Sequence, residues 1–171
     1  MIFAELKLHL PVGKLPQIAP KAEIHKPQKK DYWPEQWQTM KHHTGAHIRE
    51  TIAGKELFYQ LGFMHGEMVS VQINTTADFN EAGYTALVAI GDQIVVANSA
   101  RELKAEGAVS GALPWSEVKD QRLAESGLPN DRYFICRSVS WRAGKVHSYL
   151  NIALEWPHAL SLEYREDTRE A

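Results

Sequence analysis

A chain of 171 residues with a formal net charge of −2 has room for one well-developed hydrophobic core, and its overall charge singles out no partner class. Hydrophobic residues at 44% and charged residues at 23% exclude wholesale disorder, collagen and coiled-coil composition. Its single cysteine, Cys136, excludes an intrachain disulfide framework and every Cys₂His₂ or Cys₄ zinc module.

In Met1 to Leu10, Glu5 and Lys7 interrupt the apolar run that a signal peptide requires. No window approaches the roughly 18 apolar residues of a membrane span. The expectation is a cytoplasmic, single-domain protein over residues 1–171. In the same segment Ile2, Ala4, Leu6, Leu8 and Leu10 alternate with mostly polar residues, which predicts a half-buried strand.

Charge is unevenly spread: residues 1–60 carry a balance of +3 and residues 61–171 a balance of −5. Lys14, Lys21, Lys26, Lys29 and Lys30 cluster with Pro11, Pro16, Pro20 and Pro27, and the prolines oppose a regular helix. Residues 11–33 therefore read as an extended basic arm that runs into Tyr32 and Trp33. Pro34 and Glu35 suit a helix start, and Trp37, Met40, Ile48 and Ile52 recur at near-helical spacing. Gly45 and Gly54 interrupt the pattern, so 35–61 is predicted as two short helices. The alternative is a hairpin turning at Ala53-Gly54, although pairing across it gives neither face a consistent apolar character.

Met68 to Ile73 reads as a strand. Thr85–Ile90 and Gln93–Asn98 flank Gly91-Asp92, a two-residue turn signal, and are predicted to form a central hairpin with both faces apolar. Ser99 and Glu102 resemble a capping box opening a short helix that ends at Gly107. A further helix is expected over 114–125. Tyr133–Trp141 and Val146–Trp156 flank Ala143-Gly144 and form the best-defined hairpin. Pairing that sets His147 across from Ser140 places Ile135, Val139, Trp141, Val146, Leu150, Ile152 and Leu154 on one face. Phe134, Cys136, Ser138, Ser140, His147, Tyr149, Asn151 and Glu155 fall on the other. Residues 161–171 read as a charged tail. The fold class is α+β: a largely antiparallel sheet of about six strands, two to four short helices and the basic N-terminal arm.

Four constellations carry candidate chemistry. Lys21, Lys26, Lys29 and Lys30 with Tyr32 and Trp33 have the composition of a partner or single-stranded nucleic-acid contact: lysines neutralise phosphates and aromatic rings stack on bases. The plainer reading is a solvated loop anchored by its own tryptophan side chains. His147 and Tyr149, with Lys145 to steady a phosphate, suit acid–base chemistry in a metal-independent nuclease. The plainer reading there is an exposed polar sheet face. Cys136 lies about 13 Å along the hairpin from His147, too far for a thiol dyad. His43, His47 and Glu50 would share one helical face and could ligate zinc.

His65-Gly66-Glu67 matches the H-x-E of zinc deaminases, but their P-C-x-x-C partner needs more than one cysteine. P-loop, dinucleotide-binding and nucleophile-elbow signatures are missing, so no cofactor is expected. The function read from these features is a non-enzymatic binding protein that docks on a larger protein or nucleoprotein assembly through its arm and polar sheet face. The alternative is a metal-independent nuclease or phosphodiesterase using His147 and Tyr149. A concave pocket collecting His147, Tyr149 and a basic residue favours the enzyme, and a flat face favours the binder.

Overall fold

Strand-forming alternation accounts for more of this chain than the sequence reading assigns to it. The computed structural model describes residues 1–25, 43–101, 103–106, 111–121, 123, 133–155 and 158–168. The fold is α+β, and its strands form one antiparallel sheet in the order β1-β2-β3-β4-β8-β7-β6-β5. Six strands are long: β2 (His43–Ile52), β3 (Lys55–Met64), β4 (Glu67–Asp78), β6 (Tyr133–Ala143), β7 (Val146–Glu155) and β8 (Ala159–Thr168). The edge strands β1 (Glu23–His25) and β5 (Lys104–Glu106) have three residues each. Two three-stranded meanders thus meet at β4 and β8.

A 20-residue helix, α2 (Glu81–Ala100), crosses one face of this sheet and packs on β4, β7 and β8. Its buried positions Gly83, Tyr84, Leu87, Ile90, Gly91, Ile94 and Asn98 recur at helical spacing. This overturns the expected hairpin at Gly91-Asp92. Gly91 is the close-approach point of helix to sheet, where an added Cβ would lie 3.3 Å from Ile152 and 3.4 Å from Leu150. The start of α2 is capped by Asn80, whose Oδ1 accepts from the Gly83 amide at 2.7 Å. Ser99 is not a cap but lies in the last turn, donating to the Val95 carbonyl. Among the described residues the short helix expected to end at Gly107 does not form, since residues 104–106 are β5. The helix expected over 114–125 is described as one turn, α3 (Trp115–Val118).

The segment 35–61 is also corrected. Among its described residues, β2 and β3 form the hairpin at Ala53-Gly54, both turn residues having positive φ. Its inward face reads Ala46, Ile48, Glu50, Leu57, Tyr59 and Leu61, so only Glu50 breaks the apolar row. Glu50 is tolerated there because its carboxylate accepts from the Ile2 amide at 2.9 Å and from the Tyr59 hydroxyl at 2.6 Å.

The N-terminal strand is likewise absent. Ile2–Glu5 is a 3-10 turn that buries Phe3 against Tyr164. The described part of the expected arm is not an extended free segment. Leu15–Ile18 forms a short helix, α1, with Leu15 buried, and β1 follows it. The remainder of the arm lies outside the described residues.

Residues 161–168 are no tail. They complete β8, which sits between β4 and β7 and buries Leu160, Leu162 and Tyr164. The β6–β7 hairpin stands as expected, but Val139 faces Leu150, so the register is displaced by two residues and the turn is Gly144-Lys145. No helix among the described residues is long and apolar enough to cross a membrane.

Candidate functional site

With α2 on one side, the other face of the sheet carries ranks of polar side chains set by the strand register. One rank runs Gln60, Gln72, Arg165, Tyr149, Ser140, and the next runs Phe58, Asn74, Glu163, Asn151, Ser138. A third runs Ser70, Asp167, His147, Arg142. These residues are half-buried or exposed, while the alternate residues Ile73, Tyr164, Leu150 and Val139 are buried on the face that carries α2.

His147 and Tyr149, singled out from the sequence, do lie on this face and in one basin of about 460 Å³ with Ser140, Arg165 and Asp167. The sequence register is corrected here: Tyr149 stands opposite Ser140, and His147 opposite Arg142 and Asp167. The Tyr149 hydroxyl donates to Glu163 Oε1 at 3.0 Å, and Gln72 Nε2 donates to the same oxygen at 3.1 Å. Burial, followed by the bond to Glu163, raises the Tyr149 pKa, which keeps the phenol protonated and makes it a hydrogen-bond donor instead of a base. Arg165 Nε pairs with Asp167 at 3.2 Å.

A second basin, of about 620 Å³, adjoins it along β7 and β8 and includes Asn74, Thr76, Ser138, Asn151, Glu155 and Glu163. Tyr133 and Ile135 form its apolar wall, 51% and 39% exposed. Sequence alternation assigns Ile135 to the core. The structure reverses this through a β-bulge between Ile135 and Arg137, which leaves Cys136 unpaired and flips the strand's parity. Phe134 and Cys136 accordingly leave the polar face. Cys136 is buried, and burial pushes its thiol up to about 11, so it is no nucleophile at neutral pH.

Towards β1 the open face becomes aromatic. The His47 ring lies 5.1 Å from His25 and 5.1 Å from Phe58, and the Arg49 guanidinium sits 5.4 Å above Phe58 while pairing with Glu56. This row escaped the sequence reading because it depends on β1 pairing with β2. The zinc arrangement fails because β2 is a strand, in which His47 and Glu50 point to opposite faces. The His43 side chain is outside the described residues. Among the described residues no group of three or more His, Cys, Asp or Glu could hold a metal ion. Of the candidate contact residues in the arm, Lys21 is described, exposed in the turn before β1, while Lys26, Lys29, Lys30, Tyr32 and Trp33 lie outside the described residues.

No protein-family model matches the chain, and no curated protein or solved structure matches it.

Proposed function

We propose that this protein is a non-enzymatic binding protein that docks on a larger protein or nucleoprotein assembly through the open face of its sheet. The observation that supports this most is the asymmetry of the sheet: one face is buried under α2, and the other presents ordered ranks of amides, hydroxyls and aromatic rings. Two arginines on that face, Arg49 and Arg165, already pair with carboxylates, so a protein surface fits it better than a phosphate backbone does. Lys26, Lys29 and Lys30 supply a second contact in this reading.

The test is capture of partners from the native host by the wild-type chain and by Asn151→Arg, with bound protein and nucleic acid both identified. Asn151→Arg should lose the partner, and Val96→Lys, on the outer side of α2, should retain it. Retention by both variants would reject the face as a docking surface.

A second reading, phosphodiester cleavage with His147 as acid or base, is favoured by the basin that collects His147, Tyr149 and Arg165. In it Tyr149 donates a hydrogen bond to a phosphate oxygen. His147→Ala should then abolish cleavage with the fold intact. Absence of any nucleic-acid cleavage between about pH 5 and pH 8 removes this reading.

A further inference from the structure

We propose that the larger basin on the open face binds an extended, uncharged polyhydroxylated ligand of the oligosaccharide class. This deepens the binding-face reading and rests on it.

The basin of about 620 Å³ has no Lys, Arg or His in its lining. Glu163 Oε1 is fixed by Gln72 and Tyr149, and Glu155 Oε1 by the Ser161 hydroxyl at 2.8 Å. Each carboxylate is therefore oriented by neutral donors, and its Oε2 bonds to no described residue. The amides of Asn74 and Asn151 flank Glu163 in its rank, and the hydroxyl of Thr76 stands one rank nearer Glu155; these groups also bond to no other described residue. The bulge at Cys136 completes the site by turning Tyr133 and Ile135 outward to give it an apolar wall.

Three ligand classes can be weighed against that lining. Two unpaired carboxylates repel phosphates and other anions. The Glu155 carboxylate leans to Ser161, one rank from Glu163, but no group of three or more His, Cys, Asp or Glu among the described residues could hold a metal ion. A polyamine could bridge the two carboxylates, but its methylene stem would strip water from the neighbouring amides and hydroxyls without replacing their hydrogen bonds. A polyhydroxylated chain replaces each displaced water with a hydroxyl, which serves as donor to the carboxylates and as donor or acceptor to the amides. Its C–H faces pack on Tyr133 and Ile135.

The experiment is titration of the full chain with cellotriose, maltotriose, chitotriose and mannotriose, followed by calorimetry and by amide chemical shifts. At least one trisaccharide should bind with an affinity insensitive to salt. Asn151→Ala and Tyr133→Ala should each weaken it by about tenfold or more, both being surface substitutions whose folding is checked by thermal melting. Val96→Ser should leave it unchanged. The proposal is overturned if no trisaccharide binds, if binding survives both basin variants, or if spermidine or oligoadenylate competes for the basin in a salt-dependent way. Partner capture that is lost in Asn151→Arg without any saccharide binding overturns this assignment and leaves the docking face standing. Saccharide binding without such a loss does the reverse.

Discussion

Tyr149 and Glu163 are joined across β7 and β8 by a 3.0 Å hydrogen bond in which the phenol donates, and this bond links the two basins of the open face. Burial first, and this bond second, raise the Tyr149 pKa. Glu163→Gln removes the negative partner, so the Tyr149 midpoint should fall towards the ordinary value of about 10. Spectrophotometric titration of tyrosinate checks this, and an unchanged midpoint would deny Glu163 its role in holding the phenol.

Alkaline pH should destabilise the fold. Burial raises Cys136 to about 11 and Tyr84 to about 12, and it also raises Tyr59 and Tyr164. In the unfolded chain these groups release protons from about pH 9 to 10, before their folded counterparts do. Over that window the native state holds more protons, so stability falls as pH rises. The contribution is complete at neutral pH and is lost from about pH 9 upwards, through the folded values. Urea midpoints measured between pH 7 and pH 11 should be flat with respect to these groups at first and then decline; a rise above pH 9 would contradict the sign.

Gly83 in the first turn of α2 lies so close to β4 that a Cβ there would overlap the Asp78 carbonyl. Because that neighbour is backbone, Gly83→Ala should cost about 1–3 kcal/mol despite the better helix propensity of alanine. Across the interface, Leu150 and Ile152 are fully buried, and Leu150→Ala or Ile152→Ala should each cost about 2–5 kcal/mol. Chemical denaturation measures all three.

Glu50 is the acceptor that ties the N-terminal turn to the inner face of β2. Glu50→Ala strands the Ile2 amide and the Tyr59 hydroxyl, at about 1–3 kcal/mol for each unsatisfied group. Glu50→Gln keeps one acceptor and should lose less. Hydrogen exchange at residues 2–6 should accelerate in the alanine variant; unaltered exchange there would mean that the turn is held by Phe3 alone.

The Cys136 thiol should resist iodoacetamide in the native protein and react readily in urea, because burial both shields it and keeps it protonated. Fast native labelling would show that the β6 bulge opens.

Where the determinants were local, they were legible in the chain. The β6–β7 hairpin follows from period-two alternation beside Gly144, and its polar face of Ser138, Ser140, His147, Tyr149 and Asn151 can be written down from the residues. The antiparallel α+β class followed from hairpins of this kind. Residues 85–98 read as a hairpin in the sequence because a Val- and Ile-rich run around Gly-Asp satisfies strand and helix templates alike. What makes it a helix is the sheet it covers, and Gly91 serves close packing there instead of a turn.

Charges misled in two further places. Glu50 broke the apolar row of β2, since its partners Ile2 and Tyr59 are joined to it only by the fold. Arg165, Glu166 and Asp167 disguised β8, though Glu166 is buried against Arg101 at 2.8 Å. A single extra residue, Cys136, then decided which of Tyr133, Phe134 and Ile135 face the basin. Alternation along one strand is a property of neighbouring residues, so sequence by itself determined which side chains share a face. Which face is covered, where a strand's parity breaks and which buried charge finds a partner depend on residues distant in the chain, and only the tertiary structure decided them.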